Sequence, residues 1–337
     1  MMKIRCAVIG CGRIGCGFDD DSKVIRTHAG SYFTNPKTSL VSLCDIDTSK
    51  LDKYGKKYGV TSLYTDSLQM FHNENIDCVS ICTLVDTHLE LVKQAAENHV
   101  KAIFLEKPIS NSLTNSKKII EICKKYKIKL AIDHQRRFNP FYQSLSEFLK
   151  QKQLGDISMI NVYYGSGIAN TGSHLFDILR LFFGDIISIQ SQSIKNNMIN
   201  LSDPNIDAIL KFNNGTTCNI FSFDYSKYAI LEMDIFGTLG RIRLNLVSDH
   251  IEYFKTSKGI VYKNLIPSKL NLRNPKKTPI QLAVQNIIDS IGSRGEPLCT
   301  GYDGYKSLEL IIAATISSKK RKEIRLPLKN NYKITSR

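Results

Sequence analysis

The chain has 337 residues and a formal net charge of +15 at pH 7. It is longer than the roughly 250 to 300 residues at which a single hydrophobic core stops growing, so we expect two domains. No apolar run reaches the roughly 20 residues of a membrane span and no signal-peptide pattern is present, which predicts a cytoplasmic protein with no membrane partner. The basic residues are scattered apart from 319–322, so the charge favours anionic small molecules over nucleic acid.

The chain begins with a predicted buried strand at residues 3–9, which leads into a Gly-x-Gly-x-x-Gly motif. The motif should open a helix whose free N–H groups bind phosphates. Its first glycine permits a tight turn, its second lets the backbone approach a pyrophosphate, and its third lets the helix pack closely on the strand. This pattern predicts a dinucleotide site formed by Gly10, Cys11, Gly12, Arg13, Ile14 and Gly15.

Asp45 follows the next predicted strand, residues 40–44. A carboxylate there can bind an adenosine ribose and would repel a 2′-phosphate, so it favours NAD(H) over NADP(H); the alternative is a helix cap or turn residue. The spacing from the glycines exceeds the usual roughly 20 residues. We interpret residues 18–35, which contain the excess, as an inserted loop beside the cofactor cleft.

Strands and helices continue to alternate as in a doubly wound sheet. Ligands bind at the carboxyl ends of such strands, which here include segments 83–88, 106–108 and 133–138. The predicted strands are 63–64, 78–82, 102–105 and 130–132, and the predicted helices are 51–58, 86–98 and 112–126.

The second half of the chain reads as a strand-rich domain. One helix, 173–183, follows its first strand, and Asn213-Asn214-Gly215 marks a hairpin. The predicted strands are 157–164, 187–194, 207–212, 217–225, 231–236 and 241–246.

Several short motifs together resemble the Gfo/Idh/MocA family of sugar-type oxidoreductases. Glu106-Lys107-Pro108 follows a strand, Arg137-Phe138-Asn139-Pro140 comes later, and Thr83 and His88 match a Thr-Pro-x-x-x-His stretch except that Leu84 replaces the proline. The resemblance implies an α/β fold with an NAD(P)-binding Rossmann domain, residues 1–134. It implies an α+β domain, residues 135–337, built on a large, mostly antiparallel sheet that serves substrate binding and oligomerisation. Because open sheet faces usually need covering, we expect a homodimer or homotetramer. The C-terminal helix is a candidate to pack back on the first domain.

The resemblance also assigns catalytic residues. Asn170, His174 and Asp177 match an Asp-x-x-x-His-x-x-Asp segment in which the histidine takes the hydroxyl proton of the substrate. Lys107 matches a lysine that binds the same oxygen. Asn170 replaces the usual acid and cannot accept a proton, which weakens analogy with inositol dehydrogenases. Thr83, His88 and Glu106 are the further cofactor-side candidates, and Arg137 and Tyr163 the further substrate-side candidates.

The sequence therefore predicts an enzyme that interconverts a secondary alcohol and a ketone on a sugar or sugar derivative, possibly nucleotide-activated, with a nicotinamide cofactor. Two alternatives remain: a non-catalytic dinucleotide-binding regulator of the same fold, and a reductase of a non-sugar carbonyl. No metal is predicted, because the nine cysteines and seven histidines show no zinc-type spacing.

Overall fold

The computed structural model describes residues 3–195, 200, 202–258 and 263–329. The described chain divides into two compact units. The first contains the residues up to 139 together with 275–306, and the second contains the residues from 140 to 274 and from 307 onward.

The first unit is built on a parallel sheet. Its strands are β1 (Ile4–Ile9), β2 (Thr38–Cys44), β3 (Ser62–Tyr64), β4 (Cys78–Ile81), β5 (Ala102–Leu105) and β6 (Lys129–Ile132). Among the described residues these six strands run in the order β3-β2-β1-β4-β5-β6. The strand order reverses between β1 and β4, and the carboxyl ends on either side of such a reversal border a ligand-binding crevice.

Helices lie between these strands, and side chains cap several of them. Asp47 accepts hydrogen bonds from the N–H groups of Ser49 and Lys50 at the start of α2, and Ser112 caps α5 through the N–H of Asn115. The helices of this unit are α1 (His28–Thr34), α2 (Thr48–Tyr58), α3 (Ser67–Asn73), α4 (His88–Glu97), α5 (Leu113–Lys125) and α8 (Pro279–Ser290).

The glycine motif opens one helical turn and not the continuous helix that the sequence predicts. Cys16 N donates to Gly12 O at 2.9 Å, and Phe18 N donates to Arg13 O at 2.7 Å. After a short 3-10 turn at Gly17–Asp19 the chain leaves the helical path.

The helix resumes ten residues later, as α1. In a continuous helix the carbonyl oxygens of Ile14 and Gly15 would accept from residues 18 and 19. They accept instead from His28 N at 3.2 Å and Ala29 N at 2.9 Å. The prediction of an inserted loop over 18–35 is therefore wrong in its second part: 28–34 are helical, and the looped-out segment is 18–27.

The second unit is built on a mixed sheet. Its strands are β7 (Ile157–Tyr164), β8 (Ile186–Lys195), β9 (Asn205–Phe212), β10 (Thr217–Ser222), β11 (Leu231–Gly237), β12 (Gly240–Asn245), β13 (His250–Thr256), β14 (Leu265–Ser268) and β15 (Ile324–Arg325). Among the described residues these nine strands run in the order β14-β13-β12-β11-β7-β10-β9-β8-β15. Only the β10–β7 pairing between them is parallel, so the predicted fold class is confirmed.

Helices α6 (Pro140–Lys150) and α7 (Gly172–Phe183) pack on one face of this sheet. Phe148 of α6 contacts Tyr253 of β13, with ring centroids 5.5 Å apart. Phe183 of α7 contacts Phe212 of β9 at 5.6 Å. The last helix, α9 (Gly301–Lys320), begins in the first unit and continues in the second.

The predicted elements differ from the observed ones mainly at their ends. The helix predicted over 86–98 is a 3-10 turn, Val85–Thr87, followed by α4. The strand predicted over 217–225 ends at Ser222. The hairpin at Asn213-Asn214-Gly215 is present, with Gly215 at a φ of +85°. Within the described ranges, no helix combines the length and apolar character needed to cross a bilayer.

Candidate active site

The three glycines of the motif differ in what surrounds them. Gly10 has a φ of +93°, and a Cβ there would lie 2.7 Å from the carbonyl carbon and oxygen of Cys82. A Cβ on Gly15 would lie 2.0 Å from Gly10 O. A Cβ on Gly12 would meet no described atom within 4 Å. Gly10 and Gly15 are therefore required by the fold, whereas Gly12 borders open space that suits a close-approaching phosphate group.

Asp45 joins the end of β2 to the glycine loop. Its Oδ2 accepts from Cys11 N at 2.6 Å, and its Oδ1 accepts from Asp47 N at 2.9 Å. The side chain is 9% exposed. A ribose would reach this carboxylate only alongside these backbone donors. The turn role is thus observed, and the ribose contact stays a prediction.

His88 lies inside the first unit, 1% exposed. Its ring nitrogens are 3.2 Å from Ile109 O and 3.3 Å from Thr83 O. Burial lowers the pKa of His88, and the neutral ring donates to one of these carbonyls at a time. Thr83 Oγ1 is 2.6 Å from Thr87 Oγ1. His88 thus ties the loop after β4 to the loop after β5, and cofactor contact by Thr83 or His88 stays a prediction.

Glu106, Lys107 and Pro108 continue directly from β5 at the carboxyl edge of the parallel sheet. Glu106 N donates to Ile81 O at 3.0 Å, which extends the β4–β5 pairing by one residue. Lys107 N donates to Glu106 Oε2 at 3.2 Å. The Lys107 side chain is half-buried, and its backbone is fixed at the end of β5.

A buried ionisable cluster lies behind this strand end, and the sequence analysis did not predict it. His28 Nε2 is 3.1 Å from Glu106 Oε1 and 3.5 Å from Asp133 Oδ2. His28 is fully buried, and the Glu106 and Asp133 side chains are 12% and 1% exposed. The sequence signals two members, because Glu106 and Asp133 each follow a strand in a segment expected at the ligand edge, but it gives no sign that His28 joins them.

The cluster perturbs all three pKa values. Burial alone would lower the pKa of His28, but Cys82, Asp133 and Glu106 outweigh it and hold that pKa well above its ordinary value. Burial raises the pKa of Asp133, but its bond to His28 brings the pKa below the usual range. Burial and the neighbouring Asp133 raise the pKa of Glu106 to about 7. At neutral pH the cluster therefore holds a His28–Asp133 ion pair and a carboxyl that titrates.

The segment with Asn170 and His174 is shaped by a buried acid of the second unit. Ser166 has a φ of +66° and leads into a π-helical turn, Gly167–Thr171, that precedes α7. Asp203, 4% exposed, accepts from Ala169 N at 2.8 Å and Asn170 N at 2.9 Å. The sequence gives no local sign of this distant acid.

Asn170 and His174 lie on successive turns of this segment. Both are half-buried. Asn170 Nδ2 donates to Ser166 Oγ at 3.3 Å, and Asn170 O accepts from Ser173 Oγ at 2.6 Å. Because residues four apart on a helix are surface neighbours, the predicted orienting amide and the predicted base share one side of the segment.

The two substrate-side candidates have defined surroundings. Arg137 is 9% exposed, and its Nη2 lies 3.2 Å from Asp303 Oδ1. Tyr163 stacks on Phe221, with ring centroids 5.8 Å apart, whereas Tyr164 is fully buried with its OH 2.7 Å from Ile206 N. Substrate contact by Arg137 or Tyr163 stays a prediction.

The parallel sheet with its glycine loop, followed by a mostly antiparallel unit, defines the class of protein as a two-domain dinucleotide-binding oxidoreductase. Two family models match the chain. Residues 4–134 match GFO_IDH_MocA, described as an oxidoreductase family with an NAD-binding Rossmann fold. Residues 165–326 match GFO_IDH_MocA_C, described as the C-terminal alpha/beta domain of the oxidoreductase family. The chain belongs to this family, as its motifs predict.

Named relatives span nearly the whole chain. A D-apiose dehydrogenase of Paraburkholderia graminis is 25% identical over 340 residues, covering 93% of this chain and 88% of that protein. A scyllo-inositol 2-dehydrogenase (NAD(+)) of Bacillus subtilis is 25% identical over 355 residues, covering 98% of each. The crystal structure of the WlbA dehydrogenase from Bordetella pertussis, in complex with NADH and UDP-GlcNAcA, has a TM-score of 0.77 at 21% identity, covering 97% of this chain and 99% of that chain.

Proposed function

We propose that this oxidoreductase interconverts a secondary alcohol and a ketone on a sugar or sugar derivative, with NAD(H) as cofactor, His174 as base and Lys107 as the cation that binds the reacting oxygen. The observation that carries the proposal is the presence of both motifs in one chain, the one with Lys107 and the one with His174. A half-buried lysine follows β5 at the ligand edge of the parallel sheet, and a half-buried histidine lies in the first turn of α7 of the second unit, both in a chain of this family.

The chemistry divides between these residues. The bound nicotinamide ring supplies the hydride acceptor or donor. An imidazole titrates near neutral pH, so His174 can accept the hydroxyl proton in oxidation and return it in reduction. The Lys107 ammonium stabilises the negative charge that develops on the same oxygen. Asn170 orients the hydroxyl by hydrogen bonding but takes no proton, which leaves His174 as the proton acceptor.

The proposed preference for NAD(H) over NADP(H) rests on Asp45. Its carboxylate lies at the end of β2, bonded to Cys11 N of the glycine loop, where a 2′-phosphate would bring a second negative charge. Asp20, in the looped-out segment, adds a carboxylate on the α2 side, paired with Lys53 and Lys57. The Asp45 carboxylate therefore disfavours the extra phosphate, whereas the Asp20 carboxylate is neutralised by its two lysines.

The substrate class follows from the relatives. D-apiose and scyllo-inositol are the named substrates of two of them, and a UDP-sugar acid occupies a solved structure of the same fold. A free or nucleotide-activated sugar therefore fits best. We further propose that the protein acts in the cytoplasm as a homodimer or homotetramer, without a metal and without binding nucleic acid.

Mass spectrometry of the small molecules released from freshly purified protein tests the proposal. We expect NAD(H) to be released in excess over NADP(H), and any co-purifying ligand to be a sugar derivative. Release of NADP(H) alone would overturn the cofactor assignment. A dinucleotide that stays bound while no sugar is turned over would favour the regulatory alternative.

A further inference from the structure

The cluster of His28, Glu106 and Asp133 lies at the ligand edge of the parallel sheet, and its member Glu106 directly precedes Lys107 in the chain. Its members come from three elements: α1, the residue after β5 and the residue after β6. All three meet behind the ligand edge, next to Lys107. His28 is held from its other side by Ser80 Oγ, 2.8 Å from Nδ1, and its ring lies 4.5 Å from that of Phe104.

Glu106 connects the cluster to Lys107 through its two oxygens. Oε1 faces His28 at 3.1 Å, and Oε2 accepts from Lys107 N at 3.2 Å. The ionised carboxylate serves both donors. A protonated carboxyl must turn one oxygen into a donor, so it cannot hold both contacts equally well.

An acceptor for that proton is present. Asp133 Oδ2 accepts from Gln135 Nε2 at 3.1 Å, but Asp133 Oδ1 is buried and has no hydrogen-bond partner among the described residues. One ligand atom from each of His28, Glu106 and Asp133 lies within 4.8 Å of the others. The Glu106 and Asp133 carboxyl groups therefore lie within 4.8 Å of each other, and each affects the pKa of the other.

We propose that His28, Glu106 and Asp133 form a proton-sharing positioning site, which fixes the Lys107 strand end when Glu106 is ionised and loosens it when Glu106 is protonated. Lys107 remains the catalytic residue, and the cluster acts through it. This inference rests on the proposed function for its effect on turnover but not for its titration.

The charges around Glu106 determine how its ionisation responds to substitution. His28 favours the ionised form of Glu106, and Asp133 opposes it. Burial raises the pKa of Cys82, which also faces the cluster, to about 11. Removing Asp133 should therefore lower the pKa of Glu106, and removing His28 should raise it.

The experiment follows the infrared carbonyl band of a protonated carboxylic acid during pH titration of the cofactor-free protein. We expect one buried carboxyl that titrates near pH 7 in the unmodified protein and is missing in Glu106→Gln. The midpoint pH of this titration should shift by about one unit or more, downward in Asp133→Asn and upward in His28→Gln. The matched control is Asp77→Asn, which removes a strand-end acid paired with Lys101 at the amino end of β4 and should move nothing.

Turnover completes the test. The acidic limb of the pH profile of kcat should move with the infrared titration in Asp133→Asn and in His28→Gln, while the NADH affinity of these two variants, measured by fluorescence, changes little. A downward shift in Asp133→Asn and an upward shift in His28→Gln, seen both in the infrared titration and in the kcat profile, support the proposal. An unmoved kcat profile beside a moved infrared band would overturn the positioning role. Absence of any turnover with the infrared shifts intact would count against the proposed function alone.

Two further results must be considered, namely a variant that does not fold and a bound zinc ion. If His28→Gln does not fold, the shift of the Glu106 titration in Asp133→Asn still tests the proposal, because Asn is nearly isosteric with Asp and removes only the charge. Elemental analysis should show no zinc, and dialysis against EDTA should leave the titration unchanged. Stoichiometric zinc lost in Asp133→Asn would overturn proton sharing in favour of a metal site.

Discussion

At the residue scale, substitution of Gly12 should affect cofactor binding without affecting folding. Because a Cβ there meets nothing described within 4 Å, Gly12→Ala should unfold at nearly the same temperature as the unmodified protein. Its NADH affinity should nevertheless fall at least tenfold, since the methyl group occupies the space for the pyrophosphate. Calorimetry and fluorescence titration measure the two effects.

Gly10→Ala is the matched comparison. Its Cβ would lie 2.7 Å from the Cys82 backbone at a φ of +93°, so this variant should lose stability as well as affinity, by about 1–3 kcal/mol or more. Equal NADH affinity in Gly12→Ala and the unmodified protein would show that the cofactor does not approach the motif at Gly12.

The proposed catalytic pair makes a separate prediction. Lys107→Ala and His174→Ala should each lower kcat by about 10²- to 10⁴-fold, because each removes a group that acts on the reacting oxygen. NADH binding should remain within a few-fold, as measured by fluorescence. Turnover at the unmodified rate in either variant would refute its assigned role.

Short sequence motifs identify candidate residues such as Lys107 and His174. They do not identify the distant residues whose hydrogen bonds and ion pairs fix the neighbouring segments. Lys107 and His174 carry motif signals in their own neighbourhood. Asp203, which accepts from Asn170 N, is 33 residues away in the chain, and Asp133 lies 105 residues beyond its partner His28, since 133 − 28 = 105. Tertiary structure alone brings such pairs together, so no local pattern predicts them.

At the element scale, the looped-out segment 18–27 explains the long spacing to Asp45. Asp45 lies 30 positions after Gly15 (45 − 15), and subtracting the ten residues of the segment leaves an interval of 20, close to the usual one. The sequence revealed the excess but not where the helix resumes, because Thr27 caps α1 through Gly30 N in the middle of the predicted loop.

Asp20 fastens this segment to α2. It lies 2.7 Å from Lys53 Nζ, 3.0 Å from Lys57 Nζ and 3.0 Å from Tyr54 OH. Asp20→Asn should make residues 18–27 more sensitive to limited proteolysis at neutral pH, while changing global stability by only about 1 kcal/mol or less. An unchanged cleavage rate would show that Asp20 does not hold the segment.

The same contact should depend on pH. Despite the opposing effect of burial, the hydrogen bonds from Lys53, Lys57 and Tyr54 lower the pKa of Asp20 from 3.8 to about 2. The contact is therefore fully present above the ordinary pKa and is lost as the pH falls through about 2. Protection of segment 18–27, followed by hydrogen exchange, should weaken only in that acidic range.

At the scale of the whole molecule, the outer face of the nine-stranded sheet leads to a prediction about assembly. Met159 and Phe221 are each 38% exposed on neighbouring strands, and exposed apolar surface on a sheet favours association. Light scattering at micromolar concentration should give a dimer or tetramer. Phe221→Asp should shift the equilibrium toward monomer, whereas Tyr126→Asp, at an exposed aromatic residue after α5, should not. A monomer in the unmodified protein would contradict this prediction.

The most direct test of the account is nicotinamide absorbance with NAD and a panel of free sugars, inositols and nucleotide sugars, in the unmodified protein and in His174→Ala. We predict that one sugar class reduces NAD in the unmodified protein and that this rate falls at least a hundredfold in the variant. Bound NAD with no absorbance change across the panel, or equal rates in both proteins, would contradict it.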